Sequence, residues 1–172
     1  MMNRDKLLQA TKPGQMIHLD IGEDDHLIGE LMSVQSDYLT IHQATDFHFD
    51  GLAHVRLESI HHLIDDEQSR FYSELFEKTN HAPRSDELQS FPETFDRLLA
   101  RIISNRLIVS YHIEDMMLLG ETLGYLDEMI TIRPINTLGK VGEAETISKN
   151  ELTCIEEGTE YVLAYARHHL NS

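Results

Sequence analysis

Histidine is the residue type here with the most chemical potential: the chain has eleven. His18, His42, His48, His54, His61 and His62 fall in the first half, near Asp20, Asp46 and Asp50. Imidazole and carboxylate are ligands that divalent transition metals take. Strands bringing His42, His48 and His54 together with a loop carboxylate would therefore make a metal site. Against it, the chain has no His-x-x-x-His pair on a helix and no Cys/His ligand spacing. His18 and His54 also lie on the polar side of alternating segments, which predicts solvent exposure. Surface imidazoles are the favoured reading. Protonating many of them near pH 6 would remove much negative charge, so association is expected to depend on pH.

Other reactive groups give less. Asp24-Asp25 and Glu156-Glu157 are adjacent in sequence, and neighbours on a strand point to opposite faces, so paired acid-base work is poorly served. These pairs, like Asp65-Asp66-Glu67, read as turn and helix-cap residues. Cys154 sits in an apolar strand pattern and reads as a buried free thiol. There is no Gly-x-Ser-x-Gly turn, Gly-Lys-Ser/Thr phosphate loop or dinucleotide fingerprint. The reading is a non-enzyme with no cofactor.

The charge balance narrows the partners. Fourteen basic and thirty acidic residues give a formal net charge of −16, and both halves of the chain carry the excess. Nucleic-acid binding draws on Lys and Arg that neutralise phosphates, so a nucleic-acid partner is disfavoured. One cysteine excludes an internal disulfide and fits a reducing compartment. No apolar run approaches a membrane span and no signal-peptide core follows Met1. A cytoplasmic protein without membrane attachment is expected.

The elements that must position these groups come from a repeat. The frame Glu23-Asp24-x-x-Leu27-x-Gly29-Glu30 recurs as Glu114-Asp115-x-x-Leu118-x-Gly120-Glu121, 91 positions later. It runs without a gap to Thr40-Ile41 over Thr131-Ile132. Gly51 falls on Gly142 at the same offset. Asn3 is placed to cap a short helix through Leu7 and Leu8, ended by Lys12-Pro13-Gly14. Ile17, Leu19 and Ile21 then alternate with His18 and Asp20 as a strand. Leu27–Val34 and Tyr38–His42 form two more, with Gly29 marking a sharp bend or close backbone approach. A loop over 43–50 leads to an alternating strand at Ala53, Val55 and Leu57, and Ile60–Ile64 makes a fifth.

Two helical faces flank the middle, Phe71/Leu75/Phe76 and, after Pro92, Phe95/Leu98/Ile102. They would cover the sheets or meet a second chain. The strand series restarts at Leu107, Gly139-Lys140 reads as a hairpin turn, and a closing helix follows Thr159. The expected organisation is a first unit over 1–79, a linker over 80–91 and a second unit over 92–172. Units of about 80 residues bury a small share of their surface and gain from packing together.

Gly29, Leu31, Ser33 and Val34, followed by Val55-Arg56-Leu57-Glu58-Ser59-Ile60, resemble the two motifs of the Sm-like family. The resemblance implies two tandem five-stranded Sm-like or SH3-like barrels with flanking helices, mainly β overall. It also implies a closed homo-oligomer built by pairing strand edges, acting as an interaction or scaffold module with a possible protein partner. Family members that bind uridine-rich RNA carry an Asp and an Asn before the third strand and an Arg-Gly before the fifth. Here Gln35 replaces the Asp, Leu39 stands at the Asn position and Leu57 at the glycine. In the second copy Leu126 and Ile130 take the Asp and Asn places. An RNA-binding alternative would therefore rest on Arg56, Tyr38 and Gln35.

Overall fold

Among the described residues the chain forms ten strands, some alternating, like Met16–Gly22 with Ile17, Leu19 and Ile21 buried, and some not, like the two-residue His62–Leu63. The computed structural model describes residues 4–22, 25–46, 48–78, 90–113 and 116–170. The first half runs α1 (Arg4–Ala10), β1 (Met16–Gly22), β2 (Asp25–Val34), β3 (Tyr38–Thr45), β4 (His48–Arg56), a 3-10 turn (Leu57–Ser59), β5 (His62–Leu63) and α2 (Glu67–Lys78). The second half runs α3 (Phe95–Ser104), β6 (Ile108–Ile113), β7 (Met116–Leu126), β8 (Met129–Pro134), β9 (Glu145–Ser148), a 3-10 turn (Lys149–Glu151), β10 (Leu152–Glu157) and α4 (Glu160–Leu170).

The duplication is visible in the pairing register. Met16 lies opposite Glu30 and Ile17 opposite Gly29, as Ile108 lies opposite Glu121 and Val109 opposite Gly120. The β2–β3 ladder slips between Leu31 and Ser33, and the β7–β8 ladder slips between Thr122 and Gly124, the same place in each copy. Gly29 and Gly120 have the same task. A Cβ on Gly29 would run into the His42 carbonyl, and one on Gly120 into the Arg133 carbonyl. The second and third strands of each half approach too closely there for any side chain, the second of the two alternatives read from Gly29, a sharp bend or a close approach.

Two separate barrels do not form. The ten strands make one open sheet in the order β5-β1-β2-β3-β4-β10-β6-β7-β8-β9. Each half keeps the order 5-1-2-3-4, but the two are fused where β4 pairs antiparallel with β10, Cys154 to Val55 through Glu157 to Leu52. Alternation reveals a strand and its buried face but not its lateral neighbour. The edge that each half would otherwise leave unpaired is satisfied by the other.

The cores follow the fusion. One cluster joins Leu7, Leu19, Leu31, Leu39, Ile41, Val55 and Ile60 with Cys154 from the far half. The other joins Phe95, Leu98, Leu99, Ile102, Tyr111, Ile130 and Ile155 with Tyr38 from the near half. Helix ends are shared as well: the Asp37 carboxylate accepts from the Phe95 N–H at 2.9 Å, and that of Asp50 from the Glu160 N–H at 2.6 Å. Carboxylates of the first half thus take the first N–H of α3, beside its N-cap Thr94, and of α4, where the helix dipole favours them.

Smaller expectations shift. The loop over 43–50 is mostly strand, since β3 continues to Thr45 and β4 starts at His48. Pro92 precedes its helix, whose N-cap is Thr94. The Asn3 cap, the Glu23-Asp24 and Glu114-Asp115 turns, and residues 79–89 of the linker lie outside the described residues.

The glycine contacts predict that Gly29→Ala lowers stability by about 1–3 kcal/mol, because overpacking against backbone has no soft way out. Gly124→Ala, with nothing within 4 Å of the new methyl, should leave the urea midpoint within experimental error. Chemical denaturation of the two variants checks both.

Candidate functional site

Polar chemistry concentrates where β4 meets β10. His54 on β4 is fully buried and Glu157 ends β10. The His54 ring takes Thr40 Oγ1 on Nδ1 at 2.9 Å and places Nε2 3.8 Å from Glu157 Oε2. Arg101 of α3 donates to the same carboxylate oxygen at 2.5 Å. Tyr38, Phe91 and Phe95 seal this face: His54 lies edge-on to Tyr38 and Phe91, and Tyr38 edge-on to Phe95. Burial pushes the His54 pKa down, more than Glu157 raises it. Burial would raise the Glu157 carboxyl, but His54 and Arg101 outweigh it and hold it at about 2. With His54 neutral, Arg101 is the standing cation of the cluster.

A second polar knot lies beside it. The Arg56 guanidinium donates to the Lys149 carbonyl, pairs with Glu58 and sits 5.7 Å from the Phe95 ring centroid. Lys149 Nζ reaches Asp96 at 2.9 Å, Glu128 at 2.6 Å and the Tyr125 hydroxyl at 2.9 Å. Burial pulls the Lys149 pKa down, but these acceptors prevail and raise it. Thus a side chain of the first half closes on the backbone of the second, and the lysine carrying that carbonyl ties the 3-10 turn to α3 and the β7–β8 turn.

The residues read from the sequence are therefore dispersed. Tyr38 is fully buried, its hydroxyl donating to the Pro92 carbonyl at 2.6 Å. Arg56 is 9 % exposed, and the Gln35 N–H donates to the Tyr38 carbonyl at 2.8 Å. His42 stacks on Phe49 at a centroid distance of 4.3 Å, and His48 is exposed with Nδ1 3.4 Å from the Asp46 carbonyl. His42, His48 and His54 do not converge. Among the described residues, no group of three or more His, Cys, Asp or Glu is placed to hold a metal ion.

His54 and His18 correct the solvent expectation. His54 is covered because the Tyr38 and Phe91 rings lie against its face of the sheet. His18, 5 % exposed, is covered by the segment leading into α2, whose Ile64 N–H donates to the His18 carbonyl at 2.8 Å. Cys154 is buried as expected, and burial, with the Glu156 and Asp25 carboxylates, pushes its thiol well up. Sequence reasoning missed Arg101, Glu157 and Lys149 as a group. Their only shared signal was charge at the borders of apolar segments.

The two ends of the sheet are its other distinctive feature. Among the described residues, β5 pairs only with β1 and β9 only with β8. These strands are the repeat counterparts of β10 and β4, the pair joined in the interior. No helix of the described residues is long and apolar enough to cross a membrane. Comparison with known protein families, with curated proteins and with solved structures finds no match.

The junction predicts an acid response in two windows. His54 holds a depressed pKa when folded, so the unfolded chain gains a proton first and stability falls as pH drops below about 6.5. The low Glu157 pKa adds stability above its unfolded value of 4.5 that is lost between 4.5 and about 2. His54→Gln should remove the first window and narrow the second to what Arg101 alone sustains, as urea titrations across pH would show. Arg56→Ala should lower stability by about 1.5–3 kcal/mol, the scale of a partly buried charged hydrogen bond, as measured by urea denaturation.

Proposed function

We propose that the chain is a non-enzymatic interaction module that assembles with copies of itself, the open edge of β9 on one chain pairing with β5 of the next. The observation that carries this reading is the interior β4–β10 junction. The fold joins its two copies by laying the fourth strand of one against the fifth strand of the other. Among the described residues it then leaves the same two kinds of strand open at opposite ends. A surface that satisfies itself once within the chain is complementary to the same surface on another chain. Such a head-to-tail contact repeats until it closes or grows into a filament.

The repeat supplies a register. Val55 corresponds to Ile147 and His54 to Thr146 by their partners on β3 and β8. Cys154 corresponds to His62 and Ile155 to Leu63 by their partners on β6 and β1. Pairing between chains then sets Ile147 against His62 and Thr146 against Leu63. The resemblance of the Gly29 and Arg56 segments to Sm-like motifs favours closure, three chains supplying six five-strand halves that are parts of continuous sheets and not barrels. The sheet ends are short, four residues in β9 and two in β5, which keeps the edges weak until a partner extends them.

This reading has no use for RNA. The single arginine on which an RNA site would rest is engaged in the junction, and the net charge is −16.

Light scattering on the concentrated protein should give about three times the 19.8 kDa chain mass. Thr146→Pro, which takes a donor and the extended geometry from the open edge, should reduce it to one chain with an unchanged far-ultraviolet spectrum. A native chain that stays at its monomer mass would remove the proposal.

A further inference from the structure

Glu30 on β2 is 5 % exposed, yet among the described residues no ion pair or side-chain hydrogen bond reaches its carboxylate. Its repeat counterpart is Glu121, and the contrast is informative. Glu121 Oε1 accepts from Arg106 Nε at 2.8 Å, and its Oε2 lies 3.7 Å from Arg133 Nη1. Arg106 lies two residues before Ile108, the partner of Glu121, while Gly14 lies two before Met16, the partner of Glu30. The backbone is left-handed at both places, φ +83° at Gly14 and 53° at Arg106. A Cβ built on Gly14 meets a single atom within 4 Å, Glu30 Oε1 at 3.8 Å. The second half therefore fills this position with a guanidinium on its own carboxylate, and the first half keeps the carboxylate and leaves the position to a hydrogen atom.

We infer that the Glu30 carboxylate is a docking site for a guanidinium group, the arginine side chain of a partner protein entering over Gly14. The approach is open, because Gly14 is exposed and Arg106, lying across the equivalent surface, is itself exposed. A carboxylate with two free oxygens matches the planar fork of arginine better than the point charge of lysine. Across the sheet Glu30 faces Met16 on β1 and His42 on β3. The histidine stands where the second half has Arg133 and stacks on Phe49. The net charge of −16 adds a long-range pull on a basic partner. Burial alone raises the Glu30 pKa, so a bound cation would bring it back down and binding would strengthen as pH rises through it. The site lies on β2, away from the β5 and β9 edges, and stands whether or not the chain self-assembles.

The test is carbon NMR of the Glu30 carboxyl in the full chain, with the peptide acetyl-Gly-Arg-Gly-amide as probe. The peptide should shift that carbon and lower its titration midpoint. Glu30→Gln should bind at least about tenfold more weakly, the scale of a charged hydrogen-bond pair. Gly14→Arg, which offers the guanidinium from within the chain, should lose peptide binding and show the lowered midpoint without it. Should the φ at Gly14 prevent that variant from folding, Glu30→Gln carries the test alone, since it removes a buried charge at constant shape. Peptide binding by Glu30→Gln at native strength, or a Glu30 midpoint that the peptide leaves unmoved, overturns the inference.

Discussion

Every strand edge carries backbone donors and acceptors that must be paired or wetted, and the pairing of β4 with β10 is how this chain meets that demand. The remaining architecture follows from it. With Tyr38 and Phe91 laid against its face of the sheet, His54 loses water; Thr40 meets its Nδ1, and Glu157 lies 3.8 Å from its Nε2. Glu157 in turn needs Arg101, which fixes α3 against the junction. Arg56 closes on the Lys149 carbonyl from the opposite half, and Asp37 and Asp50 take the first N–H of α3 and of α4 across the fusion. Each core also takes in a residue from the other half, Cys154 in one and Tyr38 in the other. Halves of this size bury little on their own, so the sharing matters to stability.

Much of the local structure was legible in the sequence because it depends on near neighbours. Alternation gave the strands, the Gly29 and Gly120 frame gave the duplication and, as one of two alternatives, the close approach, and the apolar spacing of Phe95, Leu98 and Ile102 gave α3. What sequence could not supply was lateral pairing. The period-two pattern of β4 is the same whether its edge faces solvent, a neighbouring protein or the other end of its own chain. The polar residues were misjudged for the same reason. Placing His54 on the outer side of its alternation correctly put it away from its own half's apolar core, but that outer face is covered by Tyr38, Phe91 and β10. Arg56 looked available for a ligand because, beyond its neighbour Glu58, the group it closes on is the Lys149 carbonyl, 93 positions away in the chain.

The two copies also report on each other where they differ. In the second half Tyr111 and Thr122 form a buried hydrogen-bonded pair where the first half has Leu19 and Leu31. The same frame thus tolerates a polar pair when both members are satisfied. Glu121 keeps its arginines and Glu30 does not, and interior β10 has open counterpart β5. Differences of this kind, at positions with matched backbone, separate what the fold needs from what is left for a partner.

Residue-resolved hydrogen exchange on the native chain, followed over a range of protein concentration, examines the central claim most directly. Amides pairing β4 with β10 should exchange slowly at every concentration, since their bonds belong to the single sheet, whereas the outer amides of β5 and β9 should become protected only as chains associate. Fast exchange along β4 and β10, with protection confined to the strands within each half, would mean that the halves are separate modules and would contradict the account.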